Sequence, residues 1–308
     1  MKSGTLATWL CSVLLRRPRD SGRGFRAKCS LPSVTSARRP SHHRNPGYLV
    51  ARQKLGQHFL ASSKILERIA TAACGDGTDF VLEIGPGRGA LTERLLQKTE
   101  RLSAIELDAE LALFLRQRWA DEPKLRVVDG NALDADWSSF GEGVLAGNLP
   151  YYVASAIITS YVLAPGKLRH GVFLIQKEVA ERIAAAPGGR EYGYLSVVCQ
   201  FFADVKMLFS VPPGAFQPPP KVDSAVIRVT PRRDVPPVDQ AGFIKFVSVC
   251  FQHKRKTLRN NLSAWASLEL VDSIPGMERR AEQLTPADFL ELFGKFPAKP
   301  EPADEEPE

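Results

Sequence analysis

Between residues 62 and 186, short apolar runs of strand length alternate with segments whose apolar positions follow helical spacing. Runs rich in apolar and β-branched residues predict strands at 80–84, 102–105, 125–128, 144–146 and 172–175. Helices are predicted at 62–73, 90–97, 109–119, 154–163 and 177–186. Such alternation with short connections predicts an α/β fold with a mostly parallel, doubly wound sheet.

The pattern changes after residue 186. Two further strands, at 203–209 and 225–229, follow each other without a helix, so we expect one of them to add antiparallel at the sheet edge. The Pro-rich run 211–222 that joins them is not expected to be helical. After residue 237 only helical spacing is found, at 243–250, 254–264, 277–281 and 286–293.

We therefore expect a sheet domain at 51–237, a small helical domain at 238–295 and an acidic disordered tail at 296–308, all preceded by an arm at 1–50. The net charge is +7, but residues 1–52 carry eleven Lys and Arg against one acid, and residues 53–300 are nearly neutral. Any nucleic-acid surface on the fold must therefore be a local patch.

The arm is rich in Arg, Ser, Pro and Gly, and three interpretations of it stay open. It is an organelle transit peptide, a disordered RNA-contacting arm, or the product of a start codon placed too early. We expect a cytoplasmic protein, or a mitochondrial or plastid one if the arm is a transit peptide.

Five scattered cysteines, none in a CxxC pair, favour neither zinc nor a disulfide framework, so no metal is predicted and a reducing compartment fits best. No run of 18 apolar residues occurs, so no membrane span is expected.

A glycine-rich turn follows the first predicted strand of the alternating segment, in the order Glu83, Gly85, Gly87, Gly89. Glycines let the backbone approach a ligand closely, and the following helix N-terminus favours negative groups. A purely structural turn is one interpretation. A dinucleotide fingerprint is weakened because its third glycine comes one residue early. The E-x-G-x-G-x-G form instead resembles the first motif of Rossmann-like methyltransferases.

Acidic residues end the next two predicted strands. Glu106, 21 residues after Gly85, could accept hydrogen bonds from both hydroxyls of a ribose, and Asp129 could accept from an adenine amino group. Each could also be a solvated acid at a strand end. Taken together they favour a ligand site, because open α/β sheets bind ligands at this edge.

The loop Asn148-Leu149-Pro150-Tyr151 follows the fourth strand. Adenine N6 is a poor nucleophile because its lone pair is delocalised, and the Asn148 side-chain oxygen and Leu149 carbonyl could accept its hydrogens. Pro150 fixes the turn, and Tyr151 offers a ring on which a flipped base could stack. Phe216 could close the other face of the base, or could be a core aromatic under a loop.

These segments together resemble one family closely, the ribosomal RNA small-subunit adenine dimethyltransferases. The matching segments are 53–60 (QKLGQHFL), 83–89 (EIGPGRG), Glu106, 129–132 (DGNA), 148–151 (NLPY), 176–182 (QKEVAER), 192–193 (YG), 216–224 (FQPPPKVDS) and 255–262 (RKTLRNNL). The resemblance runs from about residue 51 to 293 and departs at His58, where many members carry Asn.

The resemblance implies a Rossmann-like fold that binds S-adenosylmethionine through His58, Leu60, Gly85, Glu106, Asp129 and Asn148. It implies transfer of four methyl groups to two adjacent adenosines in the 3′-terminal hairpin of small-subunit rRNA. The expected partner is the pre-ribosomal small subunit, bound by a monomer.

Basic residues in the run 252–261 supply candidate phosphate contacts, at Lys254, Arg255, Lys256 and Arg259, and Lys221 adds one near the sheet. On charge alone a solvated helix face explains the run equally well, and the resemblance favours RNA binding. Two other functions stay open: a methyltransferase acting on large-subunit rRNA, and a mitochondrial transcription factor or ribosome-assembly factor in which binding matters more than catalysis.

Overall fold

The computed structural model describes residues 58–297, and its centre is a seven-stranded mixed sheet. The strands are β1 (Phe59–Leu60), β2 (Thr78–Ile84), β3 (Thr99–Glu106), β4 (Leu125–Asp129), β5 (Gly143–Asn148), β6 (Leu168–Gln176), β7 (Ala203–Val211), β8 (Phe216–Gln217) and β9 (Ser224–Pro231). The sheet order is β4-β3-β2-β5-β6-β9-β7, while β1 and β8 pair antiparallel as a separate ribbon.

Helices cover both faces of this sheet and then continue beyond it. They are α1 (Ser63–Cys74), α2 (Ala90–Leu96), α3 (Ala109–Arg118), α4 (Ala154–Leu163), α5 (Lys177–Ala184), α6 (Tyr194–Phe202), α7 (Gln240–Cys250), α8 (Leu258–Leu262), α9 (Leu268–Asp272) and α10 (Pro286–Gly294). The predicted α/β class with a Rossmann-like sheet is confirmed. Each strand and helix predicted between residues 62 and 186 is present, α4 with the predicted bounds and the others with at least one shifted end.

Successive residues of the central strands enter two different cores, because side chains alternate across a sheet. Leu82 and Leu145 face one core, whereas Val81 and Val144 face the other. Both faces are therefore apolar, which is why these strands read as continuous apolar runs rather than alternating ones.

The expectation that one of the two late strands adds antiparallel at the sheet edge is confirmed, because β7 forms the edge and pairs antiparallel with its neighbour β9. β9 runs antiparallel to both β6 and β7, and the edge strand is β7. After β7 the chain turns back, and β9 inserts between β6 and β7, which run in the same direction. It forms hydrogen-bonded antiparallel pairs with both strands.

Helix α6 was not predicted, and residues 187–202 were left without an element. Its sequence, YLSVVCQFF, is apolar on nearly every side and so lacks the contrast that reveals an amphipathic helix. Gly193 precedes it and donates its N–H to Ser196 Oγ at 3.0 Å. The Pro-rich run also contains one short helical turn, a 3₁₀ helix at Pro213–Ala215, which its prolines permit because they occupy the start of the turn.

Two helices expected in the C-terminal part differ from the structure. The helix expected at 254–264 begins only at Leu258, where the Thr257 side chain caps it. Residues 277–280 form no helix, and a 3₁₀ turn follows at Ala281–Gln283.

Helix α7 packs on α6 through Phe243 and Phe201, whose ring centroids are 4.4 Å apart. We expected a domain boundary at residue 237. Buried side chains from both sides of this position pack into one core, so the division into two domains stays a prediction.

The arm and most of the acidic tail, and hence the predictions made for them, lie outside the described residues. Cys74, Cys199 and Cys250 are buried free thiols. No helix within residues 58–297 has the length and apolar character needed to cross a membrane.

Candidate active site

The predicted site residues follow strands that end side by side. β2 pairs with β3 through Ile84 and Ile105, and with β5 through Ile84 and Gly147. These pairs are parallel, so the glycine loop after β2, the acid that ends β3 and the amide that ends β5 meet at one edge of the sheet.

The glycine loop is held open by its backbone conformation. Gly85, Gly87 and Gly89 have φ of 63°, 59° and 81°, a region that side chains with a Cβ rarely adopt. At Gly89 a Cβ would also lie 2.3 Å from Trp119 Cη2. The turn therefore needs glycine at this position for conformation and for packing.

Glu106 joins the glycine loop to the loop after β3. Its Oε2 accepts a hydrogen bond from Gly87 N at 2.9 Å, and its Oε1 accepts one from Asp108 N at 3.0 Å. The side chain is 5% exposed, so its position is set by these two donors. Each carboxylate oxygen can accept a further bond, which suits a diol ligand.

The Asn148 side-chain amide is positioned by a residue 90 positions earlier in the chain. Asn148 Nδ2 donates to the backbone oxygen of His58 at 3.4 Å. The His58 ring is itself held, because its Nδ1 lies 2.9 Å from the carbonyl oxygen of Pro218. The segment before β1, the loop after β5 and the Pro-rich loop are thus tied together at the site.

Tyr151 is held through its hydroxyl group, which lies 2.5 Å from the Ser224 hydroxyl. Burial raises the pKa of Tyr151, and the Ser224 contact opposes that rise in part. The Tyr151 and His58 ring centroids are 6.0 Å apart with planes inclined by 30°. Ser224 was not predicted as a site residue, because its contact with Tyr151 depends on β9 lying beside β6.

Eight of the ten predicted catalytic and cofactor residues line one cavity: His58, Leu60, Gly85, Glu106, Asn148, Leu149, Pro150 and Tyr151. A second, mainly apolar cavity adjoins it at Gly85, Glu106 and Pro150. Asn131 and Tyr152 also line this second cavity and were not predicted as site residues. Asn131 lies in the segment 129–132, so the motif itself indicated its position.

Asp129 lies outside both cavities. It pairs with Glu106 across β4 and β3, but its Oδ2 forms an ion pair with Arg116 Nη2 at 3.0 Å, and its side chain is about half exposed. The structure therefore places its backbone at the site and its carboxylate towards α3. Its contact with cofactor stays a prediction.

Phe216 is also absent from the cavity lining. It is 2% exposed, pairs with Leu60 in the β1–β8 ribbon and packs in the core beneath it. This position corresponds to the second interpretation of Phe216 given above, a core aromatic under a loop. Its stacking on a base stays a prediction that requires the Pro-rich loop to move.

Glu83 lines the first cavity and was not predicted to do so beyond its place in the glycine motif. It is 1% exposed, and its Oε2 has no hydrogen-bond partner among residues 58–297. Burial raises the pKa of Glu83 to about 8; the Thr92 hydroxyl opposes this rise and Glu106 adds to it. In the sequence, Glu83 is an acidic residue within the otherwise apolar run Phe80–Ile84. This position could have indicated that its carboxyl group is buried.

These residues fit S-adenosylmethionine. The diol-binding arrangement of Glu106 suits the ribose, and the apolar second cavity suits the adenine. The unpartnered Glu83 oxygen offers an acceptor to the cationic methionine end, beside the backbone of Gly85 and Gly87.

Three of the five predicted RNA-contacting residues, Lys254, Arg255 and Lys256, lie together on one turn, whereas Arg259 lies in α8 and Lys221 in the Pro-rich loop. Residues 252–256 are exposed and precede α8, where buried Asn261 bonds the carbonyls of Cys250 and His253 at 2.8 and 3.3 Å. Lys254 Nζ donates to the Arg190 carbonyl at 2.6 Å, and Arg259 binds the Asp272 carboxylate.

Arg255, Lys256 and Lys221 are exposed and appear in no ion pair among the described residues. These three therefore offer the cations most accessible to a phosphate. The two other cations, Lys254 and Arg259, already donate to a protein partner.

The fold and the site define a Rossmann-like methyltransferase that depends on S-adenosylmethionine. The chain belongs to the ribosomal RNA adenine dimethylase family, whose sequence model matches residues 49–296. Similar curated proteins are named ribosomal RNA small subunit methyltransferase A. That of Leptothrix cholodnii is 36% identical over 79% of this chain and 91% of its own, and that of Acidobacterium capsulatum is 46% identical over 68% and 77%.

Two solved structures are similar in fold and sequence. A dimethyladenosine transferase from Plasmodium falciparum is 27% identical with a TM-score of 0.66, covering 76% of this chain and 96% of its own. The 23S rRNA methyltransferase ErmE is 26% identical with a TM-score of 0.60, covering 77% and 98%. The predicted family, enzyme class and cofactor are confirmed by these comparisons.

Proposed function

We propose that this chain transfers methyl groups from S-adenosylmethionine to N6 of two adjacent adenosines in the 3′-terminal hairpin of small-subunit rRNA. The observation that carries the proposal is the Asn148–Tyr151 loop, whose residues line the cofactor cavity with the Asn148 amide held by His58. The curated relatives named above support the small subunit as the source of the RNA.

Asn148 and Leu149 activate the amine in this mechanism. The Asn148 Nδ2 bonds to the His58 carbonyl, so its Oδ1 is left to accept from the adenine amino group. The Leu149 N–H donates to the Leu174 carbonyl at 3.0 Å, which fixes the backbone immediately before Pro150. Two acceptors on the N6 hydrogens favour a pyramidal nitrogen with an available lone pair. The residues contribute mostly orientation, and no strong base is required.

Tyr151 holds the base in place once it has left the helix stack. Its hydroxyl is tied to Ser224, so the ring has a fixed direction and offers a face for stacking. We propose Phe216 for the second face only after movement of the Pro-rich loop. When bound, S-adenosylmethionine supplies the electrophilic methyl group, and Glu106 and the glycine loop orient it.

We propose that the substrate is a pre-ribosomal small subunit and that the enzyme acts as a monomer. Arg255, Lys256, Lys221, and in part Lys254 and Arg259, set the register on the RNA backbone. The likeness to ErmE makes large-subunit RNA the alternative substrate.

The test is a methyl-transfer assay on purified small subunits that lack this modification, with mass spectrometry of the digested nucleosides. We expect dimethyladenosine in small-subunit RNA and none after Asn148→Ala, provided that the variant still binds cofactor. Transfer to large-subunit RNA alone would contradict the proposal and would identify large-subunit RNA as the substrate. Light scattering of the enzyme over a range of concentrations tests the monomer.

An assembly role is the second candidate function, since binding to the subunit does not require transfer. In cells that lack the enzyme, Asn148→Ala separates the two roles. Recovery of mature small subunits by this variant would assign maturation to binding, whereas recovery only by the unchanged chain would assign it to catalysis.

We propose the cytoplasm as the compartment, with a mitochondrion or plastid as the alternative if residues 1–49 form a transit peptide. A fluorescent fusion of the full chain, compared with one starting at Val50, distinguishes these compartments. The second fusion is the matched control, because it keeps all but the first residue of the family match at 49–296.

A further inference from the structure

The basic turn, residues 252–256, is held by one buried side chain. Asn261 lies in α8, is 2% exposed, and donates from Nδ2 to the carbonyl oxygens of Cys250 and His253 at 2.8 and 3.3 Å. Its Oδ1 accepts from the His253 N–H at 3.1 Å. The amide therefore uses both its donor end and its acceptor end on the chain between residues 250 and 253.

These bonds end α7 and shape the turn that follows it. The last carbonyl groups of a helix lack partners within the helix, and Cys250 is the last residue of α7. The Asn261 amide satisfies this carbonyl and bonds both the N–H and the C=O of His253. The His253 carbonyl also accepts from the Lys256 N–H at 2.9 Å, which closes the turn. The conformation of the basic turn thus depends on a side chain that is shielded from water.

The far end and the middle of the basic turn are fixed as well. Thr257 caps α8, and the Leu258 N–H donates to the Arg279 carbonyl at 2.8 Å. Lys254 Nζ donates to the Arg190 carbonyl at 2.6 Å, which ties the turn to the chain between α5 and α6. The turn therefore has a defined position relative to the sheet domain.

Arg255 and Lys256 lie between these fixed points. Both are exposed, and neither forms an ion pair among residues 58–297. A backbone that is already fixed lowers the entropy that such cations lose on binding a phosphate, because only their side chains remain to be ordered. The carbonyls at the end of α7 carry partial negative charge that opposes a phosphate nearby, and Asn261 donates to the Cys250 carbonyl among them.

The hydrogen bonds of Asn261 serve the turn and not the core. Its neighbours on the buried side of α8, Leu258 and Leu262, are apolar and 1% and 0% exposed. Burial of an amide among them costs free energy unless its polar atoms are bonded. All of its side-chain bonds within the described chain go to Cys250 and His253. What the amide adds over an apolar residue is therefore the shape of the basic turn.

We propose that Asn261 is a positioning residue for the RNA substrate. It preforms the basic turn, so that Arg255 and Lys256 meet the phosphate backbone from a fixed position relative to the sheet. Asn261 acts through these two cations and does not itself contact RNA. This inference rests on the proposed function, because it requires the basic turn to bind RNA.

Two neighbouring asparagines of α8 form a matched pair for the test. Asn261→Ala removes the bonds to the turn, whereas Asn260→Ala shortens an exposed side chain of the same type on the same helix. Thermal unfolding confirms that each full-length variant is folded. The probe is an RNA with the sequence of the 3′-terminal hairpin, bound at several salt concentrations.

The salt dependence reports how many cations reach the RNA. Each phosphate contact contributes ~0.7–0.9 to the slope of log K against log salt. If Asn261→Ala removes both cations from their positions, the slope should fall by ~1.4–1.8 and binding at about 0.1 M salt should weaken ~40-fold. Asn260→Ala should bind like the unchanged chain.

A double-mutant cycle shows whether Asn261 acts through the two cations. The chain with Arg255→Ala and Lys256→Ala lacks both contacts, so adding Asn261→Ala should weaken its RNA binding by less than ~3-fold. A merely structural role would leave the salt slope unchanged and would weaken binding by the same factor in both backgrounds, which would overturn the proposal. In methyl transfer, Asn261→Ala should raise KM for small subunits and leave kcat and the KM for cofactor within ~3-fold.

Failure of this inference is distinguishable from failure of the proposed RNA surface. If the chain with Arg255→Ala and Lys256→Ala binds RNA as tightly as the unchanged chain, the basic turn is not the RNA surface and the inference is overturned with it. If that chain binds weakly and Asn261→Ala binds normally, only the inference is overturned.

If Asn261→Ala does not fold, hydrogen exchange of the unchanged chain decides the question. The His253 N–H is bonded to Asn261, whereas the Arg255 N–H has no hydrogen-bond partner among residues 58–297. In a preformed turn the His253 amide should exchange at least ~100-fold more slowly than the Arg255 amide, as measured by NMR. Equal protection of the two amides would overturn the proposal.

Discussion

The Asn148 side-chain amide donates to the backbone oxygen of His58, and this bond decides which way the amide faces. An amide has one donor end and one acceptor end, so a bond at Nδ2 directs Oδ1 to the remaining space. The contact uses the backbone of His58, and it is therefore compatible with Asn or His at that position. The departure of this chain from the family at His58 thus leaves the Asn148 amide in place.

Removing the amide should slow the chemical step. For Asn148→Ala we expect kcat to fall by ~100-fold or more, as for loss of one well-placed polar group that acts in a transition state. Single-turnover methylation with saturating cofactor measures this directly. His58→Asn is the control, because it retains the carbonyl that holds Asn148, and its kcat should stay within ~3-fold. Equal losses in both variants would argue against the backbone contact as the orienting element.

The ring of Tyr151 should matter more than its hydroxyl group. Tyr151→Phe keeps the stacking face and loses the Ser224 contact, so we expect unfolding to become easier by ~1 kcal/mol with little change in kcat/KM. Tyr151→Ala loses the face, and kcat/KM for RNA should fall by ~10- to 100-fold, in line with ~1–3 kcal/mol per stacked base. Steady-state kinetics with small subunits checks both. A large loss in the Phe variant would mean that the hydroxyl itself takes part.

Much of the fold could be predicted from the sequence, for a physical reason. The central strands bury both faces and the helices α1 and α5 bury one, so each type leaves its own pattern of apolar residues. α6 was missed because its apolar residues surround the helix. The position of β9 inside the sheet was not predicted. The neighbours of a strand depend on how the whole sheet packs, and the sequence of residues 224–231 does not indicate them.

The sequence predicts the site residues that follow the ends of strands. It does not predict the contacts that their side chains make after the helices have packed on the sheet. Gly85, Glu106 and Asn148 follow strands, and parallel pairing brings them together. Asp129 follows a strand too, but its carboxylate meets Arg116 on a helix, a contact that depends on how α3 packs on β4. The unpartnered Oε2 of Glu83 likewise depends on its neighbours in the sheet, the alanines of β3 and β5.

The glycine loop offers a stability test with a matched control. Gly89 and Gly188 have the same φ of 81°, but a Cβ at Gly89 would lie 2.3 Å from Trp119, and no described atom lies within 4 Å of one at Gly188. Gly188→Ala should cost ~1 kcal/mol for the backbone alone. Gly89→Ala should cost at least ~2 kcal/mol more, because overpacking is added. Urea unfolding of both variants gives the difference, and equal costs would show that Trp119 moves aside freely.

The basic turn before α8 and the helix itself should contain cations of two kinds. Arg255 and Lys256 are exposed, so replacing either with Ala should lower the salt dependence of RNA binding by ~0.7–0.9 in the slope of log K against log salt. Arg259 binds Asp272 through two hydrogen bonds, and Arg259→Ala should change that slope less. The fair comparison is Arg259→Ala with Asp272→Ala, because freeing Arg259 from its carboxylate should strengthen binding at low salt. Filter binding of a small-subunit RNA fragment at several salt concentrations measures all four variants. Equal slope changes for Arg255 and Arg259 would show that the ion pair opens when RNA binds.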